Sequence, residues 1–170
     1  MGEKRAQPAA KRRYWLLKTE PSSFAFEDLL RAPKRRTQWD GVRNYQARNF
    51  MRDDMQFGDL ALIYHSSADP TGITGIARIV RAARPDATQF DPKDEHFDPK
   101  ARREDPPWVA VEIEALVPVE PCVSLQARKD EPRLAQMLVL RRGQRLSVQP
   151  VESGEWQVVL ELAGLDPGNF

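Results

Sequence analysis

Asn44-Tyr45-Gln46-Ala47-Arg48-Asn49-Phe50-Met51-Arg52-Asp53-Asp54-Met55-Gln56-Phe57-Gly58-Asp59-Leu60-Ala61-Leu62-Ile63-Tyr64 is the stretch whose reading decides the fold. Asn44 is a good N-cap, and Ala47, Phe50, Met51 and Met55 recur at helical spacing, which predicts a helix over 44–55. Gly58-Asp59 supplies a turn. Leu60 to Tyr64 carries no polar position on either side, the pattern of a strand covered on both faces.

Upstream, Tyr14-Trp15-Leu16-Leu17 reads as a core strand that ends at Glu20-Pro21, because proline cannot continue a ladder. Ser22 and Ser23 precede Phe26 to Leu30, a short helix with acidic residues in its first turn. Downstream, Gly72 to Val80 reads as a strand whose two glycines allow a bulge or a close backbone approach. Residues 85–107 are a long, charged, proline-studded segment, of the kind that is either functional or disordered. Trp108 to Val117 alternates as a strand with one exposed side. A helix is expected near Pro132 to Leu140, and another over Ser153 to Ala163 with Gly164 as its stop. Residues 1–13 read as a flexible basic tail, 14–165 as one domain and 166–170 as a C-terminal tail. Strands mixed with short helices, without regular alternation, argue for an α+β fold with a barrel-like sheet.

The 170 residues are 41% hydrophobic and 30% charged, an ordinary globular balance for one domain. No apolar run approaches the roughly 20 residues of a membrane span, so no membrane partner is expected. Cys122 is the only cysteine. With no internal disulfide possible, a reducing compartment is the default and a cytoplasmic location the expectation. One cysteine with His65 and His96 makes a poor zinc site, and neither metal nor cofactor is expected. Net charge is only +1. Up to Arg52, however, there are 13 Lys/Arg against 5 Asp/Glu, and beyond it 13 against 20. Such segregation can place a basic face on a neutral protein, unless the halves mix on folding.

Four polar clusters stand at the ends of expected strands: Lys18-Thr19-Glu20-Pro21, Trp39-Asp40-Gly41-Val42-Arg43-Asn44, Tyr64-His65-Ser66, and Arg145-Leu146-Ser147-Val148-Gln149-Pro150. A helix start beside Arg43 suits an anion. Trp39, flanked by polar residues, is unlike an ordinary core tryptophan. Plainer roles stay open: Trp39 as a cover for one end of the sheet, Lys18 and Glu20 as a rim ion pair, Arg43 as a ligand of loop carbonyls. His65, Ser147 and Gln149 could equally be structural, and Phe90 and Phe97 could anchor the long loop. A hydrolase built on His65, Ser66 and Glu20 is disfavoured, since adjacent strand residues point to opposite faces. No nucleophile elbow, P-loop, dinucleotide fingerprint or zinc deaminase pattern occurs, so no catalytic residue is assigned.

Taken in order, the motifs resemble the EVE domain family of the PUA-like superfamily, which also includes the YTH domains. They are Trp15-Leu16-Leu17-Lys18-Thr19-Glu20-Pro21, Trp39 through Asn49, Gly58-Asp59 leading into Tyr64-His65-Ser66, Gly72 through Ala77, Asp98-Pro99-Lys100, Pro107-Trp108 and Arg145 through Pro150. The match runs from Tyr14 to Leu162. Phe97 stands where many relatives carry tyrosine, and the basic N-terminal tail lies outside the pattern. The resemblance implies a curved β-barrel flanked by short helices, with a pocket at one end that reads a modified base, modified cytosine in DNA being favoured. It implies that Trp39 forms a stacking wall, with Lys18, Thr19, Glu20, Val42, Arg43, Asn44, His65, Ser66, Ser147 and Gln149 lining the pocket. Lys34, Arg35, Arg36 and Arg48, with Arg43, are candidates for phosphate contacts. A nucleic-acid partner, a monomer and a non-enzymatic role are expected. The alternatives are an RNA-binding module indifferent to modification and an enzyme acting on modified nucleotides.

Overall fold

A computed structural model describes residues 11–141, 143 and 145–170. The elements run β1 (Tyr14–Thr19), α1 (Phe26–Arg31), β2 (Arg36–Trp39), α2 (Tyr45–Asn49), β3 (Leu60–His65), β4 (Gly72–Pro85), β5 (Val109–Ser124), α3 (Leu125–Lys129), β6 (Val148–Val151) and α4 (Ser153–Leu162). They build an α+β fold around one six-stranded sheet in the order β2-β5-β4-β3-β1-β6. β1 and β3 are parallel; every other pair is antiparallel.

The sheet is open, which corrects the expectation of a barrel. Among the described residues β2 pairs only with β5, β6 only with β1, and no ladder joins the two edges. Closure would require those edges to hydrogen-bond along their length. Each is only four residues long, and Pro150 within β6 has no N–H to give. β4 and β5 slip register four times along their shared ladder, and irregularities of this kind bend and twist the strands they interrupt.

Strand periodicity divides the core between the two faces. Trp15 and Leu17 of β1 pack with Phe26, Leu29, Ala47 and Met51 on one side. Leu16 packs with Trp156, Val159 and Leu160 of α4 on the other. β3 is buried at all six positions, as its uninterrupted apolar run requires. Gly75 lets β4 meet α1: a Cβ there would collide with the Phe26 ring.

The helix expected over 44–55 is present, but its second half widens into a π-turn over Phe50–Asp54, where Met55 N–H donates to Phe50 O at 2.9 Å. α1 is capped at Ala25, not by Ser22 or Ser23. The Asp28 carboxylate reaches back to Ala25 N–H at 2.8 Å, while Ser23 N–H is spent in a turn onto Glu20 O. The helix expected over 132–140 resolves into two 3-10 turns, Pro132–Leu134 and Leu138–Leu140, broken at an extended Met137. Leu134, Met137 and Val139 are all buried. A continuous helix would set Met137 and Val139 about 200° apart, so only a break lets both face inward. Residues 1–10 of the expected tail lie outside the described residues. Arg13 is tied down, its N–H donating to Asp59 Oδ1 and its guanidinium 3.1 Å from Asp54. At the other end Pro167–Asn169 forms a 3-10 turn and Phe170 packs against the α4 side of the core.

Candidate functional site

A cleft of about 620 Å³ opens between the edge strand β2 and the C-terminal end of β1, where Ser147 leads into β6. That volume falls within the range of small-molecule sites. Thr37, Gln38 and Trp39 of β2 form one wall, and Lys18 and Thr19 at the end of β1 face them with Ser147. Lys18 N–H donates to Ser147 O at 2.9 Å, which fixes the segment leading into β6 against β1. Trp39 is only 8% exposed and packs into the core, where the Phe24 ring meets it edge-on at 6.2 Å. It therefore offers a small part of its surface to the cleft.

The mouth is formed by the turn Asp40 to Asn44, and Arg43 organises it. Its Nε and Nη2 donate to His96 O at 2.9 and 2.7 Å. Nη1 reaches Val42 O and Asp86 Oδ2, and Nη2 also reaches Thr88 Oγ1. All five guanidinium N–H groups are engaged, so Arg43 sews the 86–108 segment to the turn and has none left for a phosphate. Burial alone would raise the Asp86 carboxyl. Hydrogen bonds from Thr88, Gly41 and Arg43 outweigh it and hold the carboxyl below its ordinary range. Gln89, fully buried, bonds Trp108 N–H and Trp108 O with the two ends of its amide, and so acts as one more rung of backbone.

His96, from the same segment, lies over Gly41, whose φ of +76° favours glycine. A Cβ at Gly41 would stand 2.8 Å from the imidazole. Asp40 borders the cleft beside it. Desolvation pushes the Asp40 carboxyl up, and the charges of Asp86 and Asp94 add to that while His96 opposes it. On the β1 side, burial lowers Lys18, and the charge of Arg128 lowers it further.

The structure thus gathers Lys18, Thr19, Trp39, Val42, Arg43, Asn44 and Ser147 around one cleft. Asn44 also caps α2, its Oδ1 accepting from Ala47 N–H at 2.9 Å. Glu20, His65, Ser66 and Gln149 are not among the lining residues. Glu20 accepts from Ser67 Oγ at 3.4 Å. His65 Nε2 accepts the Phe26 N–H at 3.0 Å and so satisfies the first turn of α1. Burial lowers its pKa, more than Glu27 and Asp28 raise it, in keeping with an Nε2 that serves as an acceptor. Ser66 N–H donates to Thr19 O, and Gln149 Nε2 to Leu146 O at 2.7 Å. These three hold the ends of strands in place.

Of the expected phosphate contacts, Arg36 is committed to Glu114 at 2.6 Å. Arg48 donates to Pro107 O and Asn49 Oδ1. Lys34 and Arg35 are exposed, both in the left-handed region with φ of 55° and 57°. Sequence reasoning passed over Phe24, Gln38, Asp40 and His96 as lining residues. Asp40 lay inside a quoted cluster, and the length of the 85–107 segment was the one signal pointing to His96. Among the described residues no group of His, Cys, Asp and Glu is placed to hold a metal, and no helix is long and apolar enough to cross a membrane.

The family model described as the EVE domain matches residues 13–162. Thymocyte nuclear protein 1 of Rattus norvegicus is 39% identical over 170 residues, spanning 91% of this chain and 75% of the relative. A crystal structure of a Pseudomonas syringae protein superposes with a TM-score of 0.84 at 43% identity, covering 88% of this chain and 99% of that one. The human THYN1 protein, solved in complex with DNA containing 5-methylcytosine, superposes with a TM-score of 0.82 at 39% identity, covering 91% and 99%.

Proposed function

This chain belongs to the EVE domain family, and we propose that it binds nucleic acid by taking a modified cytosine into the cleft between β2 and the end of β1. The observation that carries the reading is the similarity to human THYN1 in complex with 5-methylcytosine DNA, over 91% of this chain. The composition of the cleft supports it. Part of the Trp39 ring offers a π surface, and stacking on an aromatic contributes about 1–3 kcal/mol per base. Gln38, Asp40, Asn44 and Ser147 stand around it as donors and acceptors for the edge of a base. Val42 gives an apolar contact of the kind a base methyl group needs. Lys34 and Arg35, exposed just before β2, remain candidates for phosphate contacts, whereas the guanidinium of Arg43 is spent on the mouth.

Fluorescence anisotropy with matched oligonucleotides tests this. DNA and RNA carrying cytosine, 5-methylcytosine, 5-hydroxymethylcytosine, adenine or N6-methyladenine are titrated at one moderate salt concentration. The expected result is tighter binding of DNA with a modified cytosine, a preference that Trp39→Ala and Asn44→Ala remove. Asn44→Ala serves where loss of the buried Trp39 perturbs the fold. Equal, purely salt-dependent binding of every oligonucleotide would leave only an electrostatic binder. A preference for RNA whatever its modification would replace the reading with an RNA-binding one.

A further inference from the structure

We infer that a second nucleotide subsite lies beside the cleft, on the exposed ring of Tyr45 and the guanidinium of Arg48, and that it takes the base next to the one in the cleft. The inference rests on the proposed nucleic-acid reading and extends it from one base to a strand. Tyr45 is the first residue of α2, next in the chain to Asn44 at the cleft. It is 60% exposed, an unusual setting for an aromatic in the first turn of a helix that otherwise turns Ala47 inward.

Its position is nevertheless fixed. The ring stacks on Trp108 with centroids 4.8 Å apart and planes 28° from parallel. Trp108 is itself pinned: Nε1 donates to Asp98 Oδ2 at 2.8 Å and its backbone bonds the Gln89 amide. The Arg43 guanidinium lies 5.4 Å from the Trp108 ring, and that of Arg48 lies 4.8 Å from the Tyr45 ring. The series Arg43–Trp108–Tyr45–Arg48 therefore leads from the cleft mouth outward to solvent. Arg48 donates from Nε and Nη1 to Asn49 and Pro107, while its Nη2 has no partner among the described residues.

With Trp108 and the Arg48 guanidinium already against the ring, a base would settle on the exposed part of Tyr45 and on the planar cation. Surfaces held by packing lose little entropy on binding, and the cation adds a donor for the adjoining phosphate. Flat aromatic and guanidinium surfaces accept any base, so this subsite would contribute affinity without sequence preference. The partner it fits is a strand with two neighbouring bases unstacked from each other, one in the cleft and one on Tyr45.

Four probes test the inference on the full chain: 5-methyl-dCMP, a single-stranded DNA hexamer with one 5-methylcytosine among thymines, the same hexamer with abasic sites flanking the 5-methylcytosine, and the thymine-flanked hexamer with unmodified cytosine. Tyr45→Ala is expected to weaken the thymine-flanked hexamer by about 5- to 150-fold. It should leave 5-methyl-dCMP unchanged, and Tyr45→Phe should restore the hexamer. The abasic hexamer should bind wild-type protein about as weakly as Tyr45→Ala binds the intact one, a comparison that needs no variant. Equal wild-type affinity for both hexamers would overturn the subsite, as would equal losses for mononucleotide and hexamer in Tyr45→Ala. Failure of the modified-base reading looks different: cytosine and 5-methylcytosine hexamers would bind alike, while the abasic comparison still decides the fate of Tyr45.

Discussion

Two arginines enter the protein interior on different terms. Arg43, in the turn before α2, spends all five N–H groups on Asp86, Thr88 and two carbonyls. Arg128, in α3, is fully buried, yet it donates only from Nε to Ser124 O at 3.3 Å. Among the described residues its terminal nitrogens have no partner in good hydrogen-bond geometry, and Tyr64, whose ring lies 4.8 Å from the cation, is the polar group that faces it. Burial lowers its pKa, partly offset by Tyr64. The first arrangement ties two distant segments of chain together. In the second, a cation is accommodated by packing and an aromatic face. Removing the first should undo a connection, and removing the second should relieve a cost.

The largest effect that would break this contrast lies at Arg43. Arg43→Ala leaves the Asp86 carboxylate buried without its cation, a loss of about 3–5 kcal/mol where a buried pair is broken from one side. Urea unfolding measures it. Arg43→Lys should recover only part of the loss, because an ammonium cannot span two carbonyls, a hydroxyl and a carboxylate. A loss within 1 kcal/mol, the range of exposed ion pairs, would place Arg43 with the surface charges.

Arg128→Met is expected to go the other way. A hydrophobic residue of similar length in place of a buried, incompletely bonded cation is neutral or stabilising by about 1–4 kcal/mol. Thermal and urea unfolding give the sign. Marked destabilisation would mean that the guanidinium is as well partnered in solution as Arg43.

The smallest effect sharpens the comparison through Lys18. Burial and then the charge of Arg128 lower the Lys18 pKa below its ordinary 10.5. The unfolded chain therefore holds that proton more tightly, and this group's contribution to stability rises with pH through the window below 10.5. In Arg128→Met the Lys18 pKa should move up, as followed by NMR titration of its ε-methylene group. An unchanged value would show that Arg128 does not reach the cleft electrostatically.

Much of the scaffold was legible because its signals are local. The apolar run Leu60 to Tyr64 became a strand buried throughout, Asn44 capped its helix, and Gly75 sits where a helix side chain presses on the sheet. What stayed hidden depends on partners far away in the chain. Nothing near Arg43 reveals that Asp86 and His96 will surround it, and nothing near His65 reveals a helix start waiting for its Nε2. The open sheet was missed for the same reason, since closure is decided by how two short edges meet and not by either one's pattern. Within the site, residue type announced Trp39 and Lys18. His96 reaches the cleft only because the 85–107 segment folds back onto Gly41.

The unclosed sheet has a mechanical consequence. One wall of the cleft is the edge strand β2 and the other the end of β1, four ladders away in the strand order, so its width is the sum of the twists and bulges across those ladders. A seam of this kind works like the jaws of a spring clip, whose gape is set by the curvature of the back. Substitutions at the register slips of β4 and β5 would retune the grip on a ligand without touching a single lining residue, and drift in such positions would let one scaffold fit bases of different girth.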